Sequence, residues 1–136
     1  MRVLGVDLGS RRIGVAVSDR TGILASPHSV IERSGDPARD HRAIADVVAE
    51  VEAERVVVGM PVSMSGKPGA AAAAAQEEVN ALASTLSVPV ETWDERLTTV
   101  VASKSMIGAG RKAADRRRNV DAVAASVILQ SWLDAR

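Results

Sequence analysis

The stretch Arg2–Asp19, RVLGVDLGSRRIGVAVSD, decides how the rest of the chain is read. Val3-Leu4-Gly5-Val6 is a continuous apolar run, the pattern of a strand buried on both faces. It stops at Asp7. Leu8-Gly9-Ser10-Arg11-Arg12 then forms a five-residue link, and Ile13-Gly14-Val15-Ala16-Val17 resumes the run, so a β-hairpin is predicted. A carboxylate at the tip of a buried strand is costly unless something positive compensates it. Taken alone, Asp7 is more readily a turn acid that accepts backbone N–H bonds. Its meaning depends on what the rest of the chain brings to the same place.

Outward from the hairpin, Gly22–Pro27 reads as a turn leading into a third strand, His28–Glu32, with Pro27 suited to a sheet edge. Asp36 and Pro37 mark a helix start, and Ile44, Val47, Val48 and Val51 give that helix an apolar stripe, Pro37–Ala53. Arg55-Val56-Val57-Val58-Gly59 is a buried β-branched strand. Met60–Gly69, with two prolines and two glycines, is a loop of functional length. A second helix follows over Ala70–Leu86, with Val79, Leu82, Ala83 and Leu86 on its buried side. Val88–Trp93 forms the fifth strand and delivers Asp94-Glu95-Arg96 at its far end. A third helix is predicted from Thr98 to about Ile107, ended by Gly108-Ala109-Gly110. Asn119 then caps a last helix that is apolar almost all round, suited to lie between the sheet and other protein, a second chain included. The order β-β-β-α-β-α-β-α-α predicts an α/β domain over residues 1–136, a five-stranded mixed sheet flanked by helices.

Composition narrows the function classes. Apolar residues make up 46% of the 136, too many for a disordered chain. Two tryptophans are the only aromatic residues, so the base-stacking platforms of RRM or OB modules are not expected. The absence of cysteine excludes disulfides, thiolate metal sites and cysteine nucleophiles. Lys+Arg and Asp+Glu both total 17, so any affinity for nucleic acid must come from the distribution of charge. Arg111–Arg118 concentrates that charge, either as a phosphate-binding segment or as a solvated linker. No apolar run approaches the ~20 residues of a membrane span and no signal peptide precedes the first strand, so a cytoplasmic protein without membrane partners is expected.

Strands of a β-α-β unit run parallel, and their carboxyl ends share the edge where α/β sheets put their sites. Asp7 ends the first strand, Asp94 and Glu95 end the fifth, and Asp121 lies in the first turn expected for the final helix. Each has a plain structural alternative. Asp94 suits a turn, Glu95 suits a surface pair with Arg96, and Asp121 suits the positive end of its helix dipole. Together, converging carboxylates repel one another, and a divalent cation relieves that conflict. Oxygen-only ligands favour Mg²⁺ or Mn²⁺ and point to two-metal phosphodiester hydrolysis. His28 and His41 show no ligand spacing and read as surface residues.

The stretches VDLGSRRIGVAVSD (Val6–Asp19), VVVGMPVSMSGKPG (Val56–Gly69), WDERLTT (Trp93–Thr99) and NVDAVAASVILQSWL (Asn119–Leu133) resemble the YqgF/RuvX family in order and spacing, over nearly the whole chain. The resemblance implies an RNase H-like fold and a nuclease that processes the 5′ end of precursor 16S ribosomal RNA. The related RuvC enzymes make a four-way DNA junction the alternative substrate. It implies Asp7, Glu95 and Asp121 as metal-binding acids, with Asp94 as a fourth catalytic candidate. Arg96 matches the arginine of the family's D-E-R motif, and Gly59 and Pro61 match its loop after the fourth strand. Substrate contacts are expected at Arg11, Arg96, Arg116, Arg117 and Arg118. Structured RNA is the preferred partner, a pre-ribosomal particle is a second, and an oligomer is compatible with the apolar last helix. Two departures are visible. Val101 stands where many relatives carry an acid, and Gly59-Met60-Pro61 stands where RuvC-like enzymes place a carboxylate.

Two other classes fit parts of the chain. Asp7-Leu8-Gly9 after a strand also begins the phosphate loop of actin-like and sugar-kinase ATPases, but those need two lobes around the nucleotide. A non-catalytic RNA-binding module would have no reason to keep the acids.

Overall fold

The computed structural model describes residues 1–60, 70–95 and 113–136, with the backbone alone given for 70, 71 and 113–119. Strands β1 (Val3–Leu8), β2 (Arg12–Ser18), β3 (Ala25–Glu32), β4 (Arg55–Met60) and β5 (Val90–Asp94) form one sheet in the order β3-β2-β1-β4-β5. β1 pairs antiparallel with β2, and β2 with β3, whereas β1–β4 and β4–β5 are parallel. The helices among the described residues are α1 (Pro37–Val51), α2 (Ala70–Thr85) and α3 (Ala113–Asp134). The predicted mixed five-stranded sheet is thus observed.

Alternation along the strands divides the core into two layers. Leu4, Val6, Ile13, Val15, Val56 and Val58 meet α1 and α2 on one face. Val3, Ala16 and Val57 meet α3 on the other. The all-aliphatic runs read from the sequence are needed because both faces are covered. α1 starts as expected, with the Ala38 N–H donating to Asp36 Oδ1 at 3.1 Å and proline in the first turn.

α3 is fastened to three strands. Gln130 takes the Ala25 N–H and donates to the Ile23 carbonyl, both at 2.9 Å. On the other side, Trp93 Nε1 donates to Ser131 Oγ and Trp132 Nε1 donates to Glu91, both at 3.1 Å. A third contact, at Arg12, belongs to the site below.

Several sequence expectations change. β1 runs through Asp7 to Leu8, so that acid lies within the strand. Ala25, Ser26 and Pro27 belong to β3, not to a turn; β3 is an edge strand, and a bulge at His28 accommodates the missing proline N–H. Ala83 is exposed while Val79 and Leu82 are buried, because α2 turns a narrower stripe inward than its alanine-rich sequence suggests. Asn119 is no cap: α3 already runs from Ala113, which removes Asp121 from the first turn. The loop after Met60, the helix expected from Thr98, Arg96, Arg111 and Lys112 lie outside the described residues.

Candidate active site

Asp7 occupies the α3 face of the central strand, in line with Val3 and Gly5, and is only 8% exposed. Its antiparallel partner is Gly14. A Cβ on Gly14 would overlap the carbonyl oxygen of Asp121, so the bare glycine backbone lets α3 descend beside Asp7. On the opposite side, β1 and β4 are in register at Val6 and Val58, which sets Gly59 level with Asp7. A Cβ on Gly59 would lie 2.5 Å from Ile128 Cδ1 and 3.2 Å from Glu95 Oε1. The Glu95 carboxylate therefore reaches over Gly59 on the same face. Two glycines thus bring Asp121 and Glu95 to either side of Asp7.

Asp94 is different. It pairs with Met60, whose side chain packs into the α1/α2 core, so the alternation sets Asp94 on the other face of the sheet. Of the two neighbouring acids at the end of β5, Glu95 shares the Asp7 face.

Asp121 has a partner that sequence reasoning missed. Arg12 Nε donates to Asp121 Oδ2 at 3.1 Å, with the two side chains 27% and 19% exposed. The signal was Arg12's place two residues before Gly14, which gives both the same face of β2. The dipole explanation for Asp121 loses its basis, since the effect fades beyond the first turn.

Behind the link between β1 and β2 lies a second unanticipated network. Arg33 forms a bidentate pair with Glu78 at 2.5 and 2.9 Å and donates through Nε to the Gly9 carbonyl at 3.0 Å. Its backbone N–H donates to the Arg11 carbonyl at 2.9 Å. Arg33 holds the Glu78 carboxyl below its ordinary range, with burial opposing and His41 assisting. His41, expected at the surface, is buried and bonded to Glu78 at 2.9 Å. Buried Asp40 accepts from the Ser34 backbone and hydroxyl at 3.0 and 2.8 Å. The network fixes the link that carries exposed Arg11. His28 is exposed, as expected. Arg116, Arg117 and Arg118 fall in the part of α3 described by its backbone alone.

Carboxylate oxygens on one buried face are the donor set that hard divalent cations take. Among the described residues, no group of three or more His, Cys, Asp or Glu stands close enough to hold one ion. Asp121 is engaged by Arg12 in this arrangement. Mg²⁺ commonly binds through one or two carboxylates and keeps several waters, so the acids fit such an ion without forming a closed cage.

A family model described as RuvX, Holliday junction resolvase, matches residues 1–135. Over 134 residues the chain is 48% identical to a protein of Chloroflexus aggregans named "Putative pre-16S rRNA nuclease", covering 98% of this chain and 94% of that one. A protein of Myxococcus xanthus with the same name is 45% identical over 135 residues, covering 99% and 89%. Among solved structures, Thermus thermophilus RuvC in complex with a Holliday junction substrate is similar at TM-score 0.61 and 21% identity, over 100% of this chain and 96% of that one. The fowlpox virus Holliday junction resolvase is similar at TM-score 0.54 and 13% identity, over 100% of both chains. At those identities the two structures speak for the fold alone.

Proposed function

The chain belongs to the RuvX family, and from that premise we propose that it is a divalent-metal-dependent nuclease that processes the 5′ end of precursor 16S rRNA. The observation that carries the chemistry is the pair of glycine contacts: Gly14 admits Asp121 and Gly59 admits Glu95 on the face of the sheet that bears Asp7. The names of the relatives at 45–48% identity support the substrate.

In this reading Asp7, Glu95 and Asp121 hold Mg²⁺ or Mn²⁺, with Asp94 outside the ligand set because it falls on the opposite face. With two ions bound, the chemistry supplied is activation of water and stabilisation of the leaving oxygen. The residues of the chain orient the substrate. Arg11 on its anchored link, Arg96 beside Glu95, and Arg116, Arg117 and Arg118 ahead of Asp121 hold the phosphate backbone. With two tryptophans as the only aromatic residues, both bonded to α3 or β5 partners, recognition falls to backbone shape rather than base stacking. A precursor ribosomal particle in the cytoplasm is the setting such a substrate implies. No helix among the described residues is long and apolar enough to cross a membrane.

The second reading, resolution of four-way DNA junctions, is favoured by the description of the matching family, Holliday junction resolvase. Against it stands Gly59-Met60-Pro61, where the resemblance implies a carboxylate for RuvC-like enzymes. A junction enzyme's metal geometry does not transfer unchanged when that carboxylate arrives instead from Glu95.

The deciding experiment offers equal enzyme, Mg²⁺ and salt to a precursor 16S rRNA 5′ leader and to a four-way DNA junction, with Asp7→Asn as the control for contaminating ribonuclease. Faster, Asp7-dependent cutting of the RNA is expected. Paired symmetric nicks in the junction with intact RNA would put the second reading first.

A further inference from the structure

The contact between Arg12 and Asp121 joins residues far apart in the sequence, yet the backbone itself builds it. Arg12 opens β2 on the α3 face, and Gly14, two residues on, admits the Asp121 backbone against the strand. The guanidinium Nε thereby meets Oδ2 at 3.1 Å. With both side chains partly open to solvent, the pair is of the weak and displaceable kind. Directly across the ladder from Arg12 stands exposed Glu32 on β3. A released guanidinium thus has a second carboxylate within cross-strand distance.

We infer that Arg12 is a positioning residue that holds the Asp121 carboxylate when no cation is bound and competes with the cation for it. The inference rests on the assignment of Asp7 and Asp121 to a metal site. Arg12 supplies positive charge at the Asp121 carboxylate before any ion arrives. A divalent ion would carry twice that charge and would compete with the guanidinium for the same carboxylate. Arg12 therefore lowers cation affinity in exchange for an ordered site.

The test is Mn²⁺ binding to the full chain by titration calorimetry, with no nucleic acid present, comparing wild type, Arg12→Gln, Arg12→Lys and Asp7→Asn. Removing one unit of competing charge at this partly exposed position predicts about three- to tenfold tighter Mn²⁺ binding for Arg12→Gln. Arg12→Lys, which keeps the charge, stays near wild type. In EDTA the thermal midpoint of Arg12→Gln falls below wild type, and the gap narrows as Mn²⁺ is added, because the variant gains more from the ion. Arg12→Met, which keeps the aliphatic stem, repeats the measurement should the glutamine variant not fold. Equal or weaker Mn²⁺ binding by the neutral variants, with binding reduced in Asp7→Asn, overturns the role of Arg12 and leaves the metal site standing. Wild-type binding in Asp7→Asn overturns the site and this inference with it.

Discussion

The carbonyl oxygen of Asp121 occupies the space that a Cβ on Gly14 would need, and Gly14 is the residue paired with Asp7. The backbone of α3 therefore comes against the sheet directly beside the central acid.

Gly14→Ala should test that contact directly. The added methyl meets backbone, which cannot rotate away, so α3 must lift and carry Asp121 with it. A loss of about 1–3 kcal/mol in a denaturant titration is expected, together with a loss of cleavage larger than the stability change explains. Wild-type stability and rate would show that α3 sits higher than described.

Asp7→Asn, Glu95→Gln and Asp121→Asn should each abolish cleavage with the fold retained, whereas Asp94→Asn should not. Their stabilities should differ. Asp7→Asn relieves like-charge repulsion and leaves the thermal midpoint unchanged or higher. Asp121→Asn weakens the pair with Arg12 and lowers stability slightly, by about 0.2–1 kcal/mol. Paired activity assays and thermal melts separate these outcomes.

Glu78 should govern part of the acid limb of stability. Its folded pKa is depressed below the ordinary 4.5, chiefly by the hydrogen bonds from Arg33. The stabilisation is therefore fully present above about pH 4.5 and is lost as pH falls through the folded value. Glu78→Gln should cost roughly 1–3 kcal/mol at neutral pH and progressively less in acid. Parallel stability curves for the two proteins across that range would contradict the pairing.

Replacing Arg116, Arg117 and Arg118 with alanine should weaken RNA binding and flatten its salt dependence. Loss of three phosphate contacts reduces the slope of log affinity against log salt by about 2–3. The rate at saturating substrate should fall less than for the acid variants. An unchanged slope would assign the basic segment to solvent.

Much of the fold was legible because the signals were local. The aliphatic runs at Val3–Val6 and Val56–Val58 need cover on both sides, and Asp36-Pro37 announces a helix by local chemistry alone. The site was legible as a list of acids, since strand ends are readable, but not as a geometry. Nothing local to Gly14 or Gly59 says that a helix or a glutamate will fill the vacant side-chain space; that depends on strands distant in sequence. Arg12, Arg33 and His41 were missed for the same reason, because their partners at Asp121 and Glu78 come from other elements. The start of α3 was misread because Asn119 is a good cap by itself, while a run rich in alanine and arginine before it is equally good helix.

The position of β1 at the centre of the sheet also orders the site in time. Hydrogen-bonded strands flank β1 on both sides, while β5 is at the edge of the described sheet and Glu95 lies just past its end. The amide of Val6, in the heart of the ladder, should exchange with deuterium only when the whole sheet opens, and that of Glu95 at the cost of a local opening. Asp7 is then set once, by folding itself. The position of the edge acid would then answer to local openings that leave the centre of the sheet intact.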